Sequence, residues 1–105
     1  RILLAEIRGQ EAWDALKIVG SGHEGLMTSL HAGSPEECIE GLIDRCYENP
    51  DCRNMPFDVL LRKVLKSVDV IVSIDIHGDI RRMSDVYFKP VHLNDMRGVF
   101  SKGLQ

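Results

Sequence analysis

The stretch "LMTSLHAGSPEECIEGLIDRC", residues 26 to 46, constrains the fold more than any other part of the chain. Leu26, Thr28 and Leu30 alternate with Met27, Ser29 and His31, which is the period of a strand over 26–32. Ser34 then supplies a helix N-cap, Pro35 suits the first helical position, and Glu37 stands where a capping box needs an acid. Behind them Ile39, Leu42, Ile43 and Cys46 recur at i, i+3, i+4 and i+7. One face of that helix must therefore be buried. A strand delivered straight into an amphipathic helix points to a sheet with helices on it.

The remaining segments keep the alternation. "RILLAE" (1–6) is apolar and strand-like, and "QEAWDALKIV" (10–19) carries Ala12, Leu16 and Val19 on one helical face before Gly20 and Gly22 end it. "NPDCRNMP" (49–56) has the composition of a loop. "FDVLLRKVLKSV" (57–68) resumes helical spacing through Phe57, Leu60, Leu61, Val64 and Leu65. "DVIVSIDI" (69–76) is β-branched and strand-like, and "HGD" (77–79) turns it into "IRRMSDVYFK" (80–89), the edge strand of a hairpin. From Pro90 the periodicity is weak, which fits an appended loop or short helix over 90–105. The order predicts an α/β fold, a mostly parallel sheet with a terminal antiparallel hairpin.

Composition narrows the classes of function. A chain of 105 residues makes one domain at most. Its net charge of −3 gives no electrostatic reason for direct nucleic-acid binding. No apolar run approaches the length of a membrane span. Cys38, Cys46 and Cys52 are odd in number and widely spaced, which points to reduced thiols in the cytoplasm rather than a disulfide framework or zinc site. A chain that opens on Arg1 and enters a strand at once is expected to be the later part of a longer protein.

A few polar residues stand where an α/β sheet binds ligands, beyond the carboxyl ends of its strands. Glu6 ends the first strand, and there it either faces a metal-bound phosphate or merely closes the strand at the surface. His31 ends the second strand and either donates to a phosphate oxygen or water, or is a buried histidine bonded to backbone. His23 lies in the Gly-rich turn "GSGHEG", which allows close backbone approach to a ligand or serves only as a turn. Arg8 can reach a phosphate or pair with Asp14. Trp13 with Leu16 reads as helix packing, and His77 as a hairpin residue.

Together, "LLAEIRGQEAWDAL" and "SGHEGLMTSLHAGSPEE" resemble two consecutive boxes of the secretion ATPases, the hexameric P-loop motors of type IV and type II secretion and type IV pili. The first resembles their Walker B region, and the second their histidine box, with the frame "GH-x-G … T-x-H-A" intact. The run "VDVIVSIDIHGDIRRMSDVYF" is most similar to the end of the type IV secretion and conjugation branch. The resemblance covers residues 1 to about 89.

The resemblance implies a RecA-like ATPase domain, of which residues 1–105 would be the C-terminal part. Glu6 then matches the Walker B acid, expected to hold magnesium through water or to help polarise the attacking water, and His31 the box histidine, expected to sense or contact the γ-phosphate of ATP. Gly22, His23 and Thr28 match supporting positions, and Arg8 the arginine that follows the acid. Ala5 departs from the glycine many relatives carry there. No G-x-x-x-x-G-K-[ST] loop occurs in the sequence, so these residues alone are expected to be inactive. The whole protein is expected to be a homohexamer at the cytoplasmic face of the bacterial inner membrane, peripheral to it and working with other secretion components. Two alternatives stand beside this reading: an ATPase of tight-adherence pilus assembly, and a non-catalytic interaction module of a secretion machine.

Overall fold

The computed structural model describes residues 2, 3, 9, 11–20, 26–30 and 32–103. Its elements follow the expected order: β1 (Ile2–Leu3), α1 (Glu11–Gly20), β2 (Leu26–Met27), α2 (Pro35–Tyr47), a 3₁₀ turn at Pro50–Cys52, α3 (Phe57–Ser67), β3 (Val70–His77), β4 (Ile80–Phe88) and α4 (Lys89–Gly103). The fold is α/β. β1 and β2 pair in parallel, Ile2 against Leu26 and Leu3 against Met27, while β3 and β4 form a separate antiparallel pair.

α2 is the hub of the packing, touching α1, α3 and both hairpin strands. The residues picked out by their spacing, Ile39, Leu42, Ile43 and Cys46, are the ones it buries. They meet Ala12, Ala15 and Leu16 of α1 and Leu60, Leu61, Val64 and Leu65 of α3 in one apolar cluster. Trp13 packs on that cluster half-buried, as helix packing rather than as an exposed platform. At the end of α2, the 3₁₀ turn tucks Cys52 fully inside, and the Tyr47 hydroxyl donates to the Met55 carbonyl at 3.0 Å.

The hairpin turns on Gly78 and Asp79, with Gly78 at φ +64°, as a two-residue loop with glycine first requires. Ser84 is an extra residue opposite the Ser73–Ile74 step, and its hydroxyl donates to the Ser73 carbonyl at 3.3 Å. This bulge shifts the register so that Met83 faces Ile74. Ile71 and Tyr87 are buried beneath the helices. Val70, Val72 and Ile74, with their partners Phe88, Val86 and Met83, form the opposite face, and all six are exposed.

Two expectations change. β2 ends at Met27 rather than running to residue 32, with Thr28 to Leu30 outside any strand. A two-stranded parallel pair has little to hold a longer register, since among the described residues β2 has no second neighbour. The tail is a full helix of 15 residues instead of a loop or short helix. Its periodicity is hidden because Leu93, Met96 and Phe100 pack inward while Val91 and Val99 are exposed. Phe100 meets Phe57 with ring centroids 6.4 Å apart.

Candidate functional site

Since β1 and β2 are parallel, the chain leaves both at the same edge of the pair. Glu6 lies three residues past Leu3, and His31 four past Met27. Glu6, Arg8, Gly22, His23 and His31 fall outside the described residues. Thr28, the remaining candidate, sits directly beyond β2 and is half-buried. Its Oγ1 is shielded from solvent and, among the described residues, makes no hydrogen bond. A shielded hydroxyl without a partner costs free energy of about 1–3 kcal/mol.

Leu30 and Gly33, which flank the undescribed position 31, are each anchored to α2. On one side, Leu30 packs on the core, and a side chain at Gly41 of α2 would stand 3.4 Å from Leu30 Cδ2. On the other, Ser34 caps the helix in extended conformation, its hydroxyl accepting the Glu37 N–H at 3.2 Å. The Glu37 carboxylate returns a bond of 2.7 Å to the N–H of Gly33, one residue earlier than an ordinary capping box places it. The box read from the sequence is thus present and reaches one residue closer to His31.

Gly9, the one described residue between β1 and α1, is anchored too. Gly9 holds φ +35°, its carbonyl accepts the Ala12 N–H at the start of α1, and a Cβ there would stand 2.8 Å from Glu48 Oε2 at the end of α2. Sequence reasoning passed over Gly9 and Gly41. Their signal was a glycine beside a helix start and another inside a helix, where it costs stability unless something needs the space.

The thiols do not build a metal centre among the described residues. All three cysteines are free, and no three His, Cys, Asp or Glu side chains converge there to hold an ion. Burial pushes the Cys46 thiol up to about 12, with Cys52 beside it adding to the rise. Burial also raises Cys38, against the pull of Arg45. Thiols held protonated in this way are poor nucleophiles and poor ligands.

Comparison with known proteins bears directly on this geometry. No protein-family model matches the chain. The type IV secretion system protein VirB11 of Brucella suis is 41% identical over 93 residues, covering 86% of this chain and 26% of that protein. PtlH of Bordetella pertussis, also a type IV secretion system protein, is 35% identical over 92 residues, covering 85% of this chain and 27% of its own length. VirB11 of Agrobacterium fabrum is 32% identical over 87 residues, 83% of this chain and 25% of that protein. The crystal structure of the Brucella suis VirB11 ATPase in complex with sulphate superposes with a TM-score of 0.80 at 41% identity, covering 86% of this chain and 29% of that one. The chain is therefore a homologue of the VirB11 and PtlH type IV secretion proteins, and it spans about a quarter of their length.

Proposed function

We propose that this chain is part of an ATP-hydrolysing motor of a type IV secretion system, the C-terminal part of its RecA-like ATPase domain. The observation that carries the reading is the joint match in sequence and fold to the Brucella suis VirB11 ATPase. The relatives matched are type IV secretion proteins, which favours that branch over tight-adherence pilus assembly.

In this reading the parallel pair β1–β2 belongs to a larger sheet whose other strands, and the phosphate-binding glycine loop, come from elsewhere in the whole protein. The open edges of both two-stranded pairs and the exposed apolar face of the hairpin suit such a completion. Glu6 and His31 then meet at the edge where both strands end.

The donor set fits a magnesium nucleotide. Glu6 offers one hard carboxylate, the share that magnesium takes from a protein when water and phosphate oxygens complete its shell. Bound there, magnesium would neutralise charge on the phosphates of ATP. Glu6 would hold it through water, His31 would donate to the γ-phosphate, and Arg8 would lend positive charge. Thr28 offers a shielded hydroxyl with no competing partner, and Gly22 and His23 would set the turn that leads into β2. The Brucella suis VirB11 structure is a complex with sulphate, an anion of phosphate's shape. Catalysis of phosphoryl transfer to water rests on such positioning and charge stabilisation.

The whole protein would work as a homohexamer with other components of the secretion machinery, peripheral to the cytoplasmic face of the inner membrane. Among the described residues no helix is long and apolar enough to cross a membrane. The reading is tested by magnesium-dependent ATP hydrolysis of the intact gene product. Turnover should be lost in Glu6→Gln and His31→Ala, whereas a non-catalytic interaction module would show no turnover at all.

A further inference from the structure

Away from the β1–β2 edge, α3 and α4 pack antiparallel. Phe57 at the start of α3 meets Phe100 near the end of α4, and Lys89 at the start of α4 donates from Nζ to the Lys66 carbonyl at 2.8 Å. Between the two helices lies a groove of about 820 Å³, whose lining runs from Asp58 to Lys66, about 12 Å along α3. Leu61 and Leu65 line it at 8% and 3% exposure, so they form its floor. Arg62, Lys66 and Arg97 stand exposed around it and, among the described residues, enter no ion pair. Lys89 is committed to Asp69 at 2.8 Å, and Asp58 is the one acid among the described residues of the lining. A chain of net charge −3 thus gathers three unpaired cations over an apolar floor.

The floor decides which anion this charge serves. The flat surface of a bilayer does not reach side chains so deeply set, and a free phosphate leaves them uncovered. An amphipathic helix meets both demands. Its apolar stripe covers the leucines, and acids four residues apart meet Arg62 and Lys66, which stand one turn apart on α3. The described helices of this chain offer no such stripe. α2 and α3 carry no large exposed apolar side chain, α1 only Ile18, and α4, with Val91 and Val99, is itself a wall of the groove.

We propose that the α3–α4 groove docks a short acidic amphipathic helix of a different protein. The guest lays its apolar stripe on Leu61 and Leu65 and sets its carboxylates against Arg62, Lys66 and Arg97. Covering the leucines supplies affinity, and the cations set the guest's register and exclude basic helices. The inference stands apart from the ATPase reading, and no nucleotide enters its test.

Fluorescence anisotropy with the intact gene product tests this. The probe is a labelled, side-chain-stapled helical peptide of about 12 residues, long enough to cover the groove, with a leucine stripe flanked by glutamates. A scrambled peptide of the same composition and a copy with lysine for each glutamate accompany it. The wild type should bind the acidic peptide, less tightly as salt rises, and bind the two control peptides about tenfold more weakly or worse. R62E/R97E should lose the acidic peptide and gain the lysine one, whereas R62K/R97K, which keeps the charge, should retain the acidic peptide. Both positions are exposed, and circular dichroism verifies that each variant is folded. The proposal is overturned by a wild type that binds no peptide, by equal binding of the scrambled peptide, or by binding indifferent to R62E/R97E. Binding to phosphatidylserine vesicles that is lost in R62E/R97E, with no peptide bound, would also overturn it and give the groove to lipid headgroups.

Discussion

The backbone N–H of Gly33 donates to Glu37 Oε2 at 2.7 Å, closing the first turn of α2 back over the residue that follows Ala32. With the Ser34 cap, this bond fixes how the chain enters α2 from Ala32. Glu37→Ala should cost about 1 kcal/mol, as losses at helix caps do, and Glu37→Gln, which keeps an acceptor, should cost less. Urea denaturation of the three proteins measures the order. Gly33→Ala should disturb the same clasp, since a Cβ there would stand 2.7 Å from that oxygen.

Thr28 separates stability from function. Its hydroxyl is shielded and has no hydrogen-bond partner among the described residues, so Thr28→Val should leave the stability of the chain unchanged or raise it by about 1 kcal/mol. In the intact gene product the same substitution should weaken nucleotide binding, because the hydroxyl is the partner the reading supplies to the ligand. Thermal melting of the chain and nucleotide titration of the intact protein check the two halves.

Tyr87 makes a comparable case inside the core. It is 2% exposed, and its hydroxyl has no hydrogen-bond partner among the described residues. Its ring lies 6.3 Å from that of His92, whose Nδ1 accepts the Phe88 N–H at 3.0 Å. Tyr87→Phe should hold or raise stability by about 1 kcal/mol, read from the urea midpoint. A loss of that size would mean that the hydroxyl is bonded.

The buried thiols set how the chain meets alkali. Burial favours the neutral form of Cys46 in the folded chain, up to about 12 against 9.0 for the free thiol. Above pH 9 the unfolded chain therefore sheds a proton that the folded chain keeps. Stability should be level below pH 9 and fall as pH rises towards 12, by at most about 1.4 kcal/mol per pH unit for this one group. Cys38 and Tyr87, also raised by burial, act in the same direction. Cys46→Ala should flatten the alkaline fall seen in denaturation at pH 8 to 11. An unchanged profile would remove Cys46 as its source.

What was legible in the sequence follows from where the physics is local. The Ser34 cap, Pro35 at the first turn and the buried spacing of α2 depend on neighbours a few residues apart, and they appear where the sequence places them. The Gly78 turn is local in the same sense. α4 was not legible, because Leu93, Met96 and Phe100 bury only through contact with distant elements. The length of β2 was misread for a related reason: alternation through residue 32 expresses a preference, while pairing needs a neighbour. Of the candidate site, the parallel direction of β1 and β2 and the anchoring by Gly33 are described, and Thr28 is placed. Glu6, Arg8, Gly22, His23 and His31 rest on their positions in the sequence and on resemblance.

The most direct measurement is the rate of magnesium-dependent ATP hydrolysis by the intact gene product, wild type against Glu6→Gln and His31→Ala. The account predicts turnover by the wild type and a loss of about a hundredfold or more in each variant, the scale on which single charge-stabilising groups act. Turnover unchanged in both variants, or absent from the intact wild type, would contradict it.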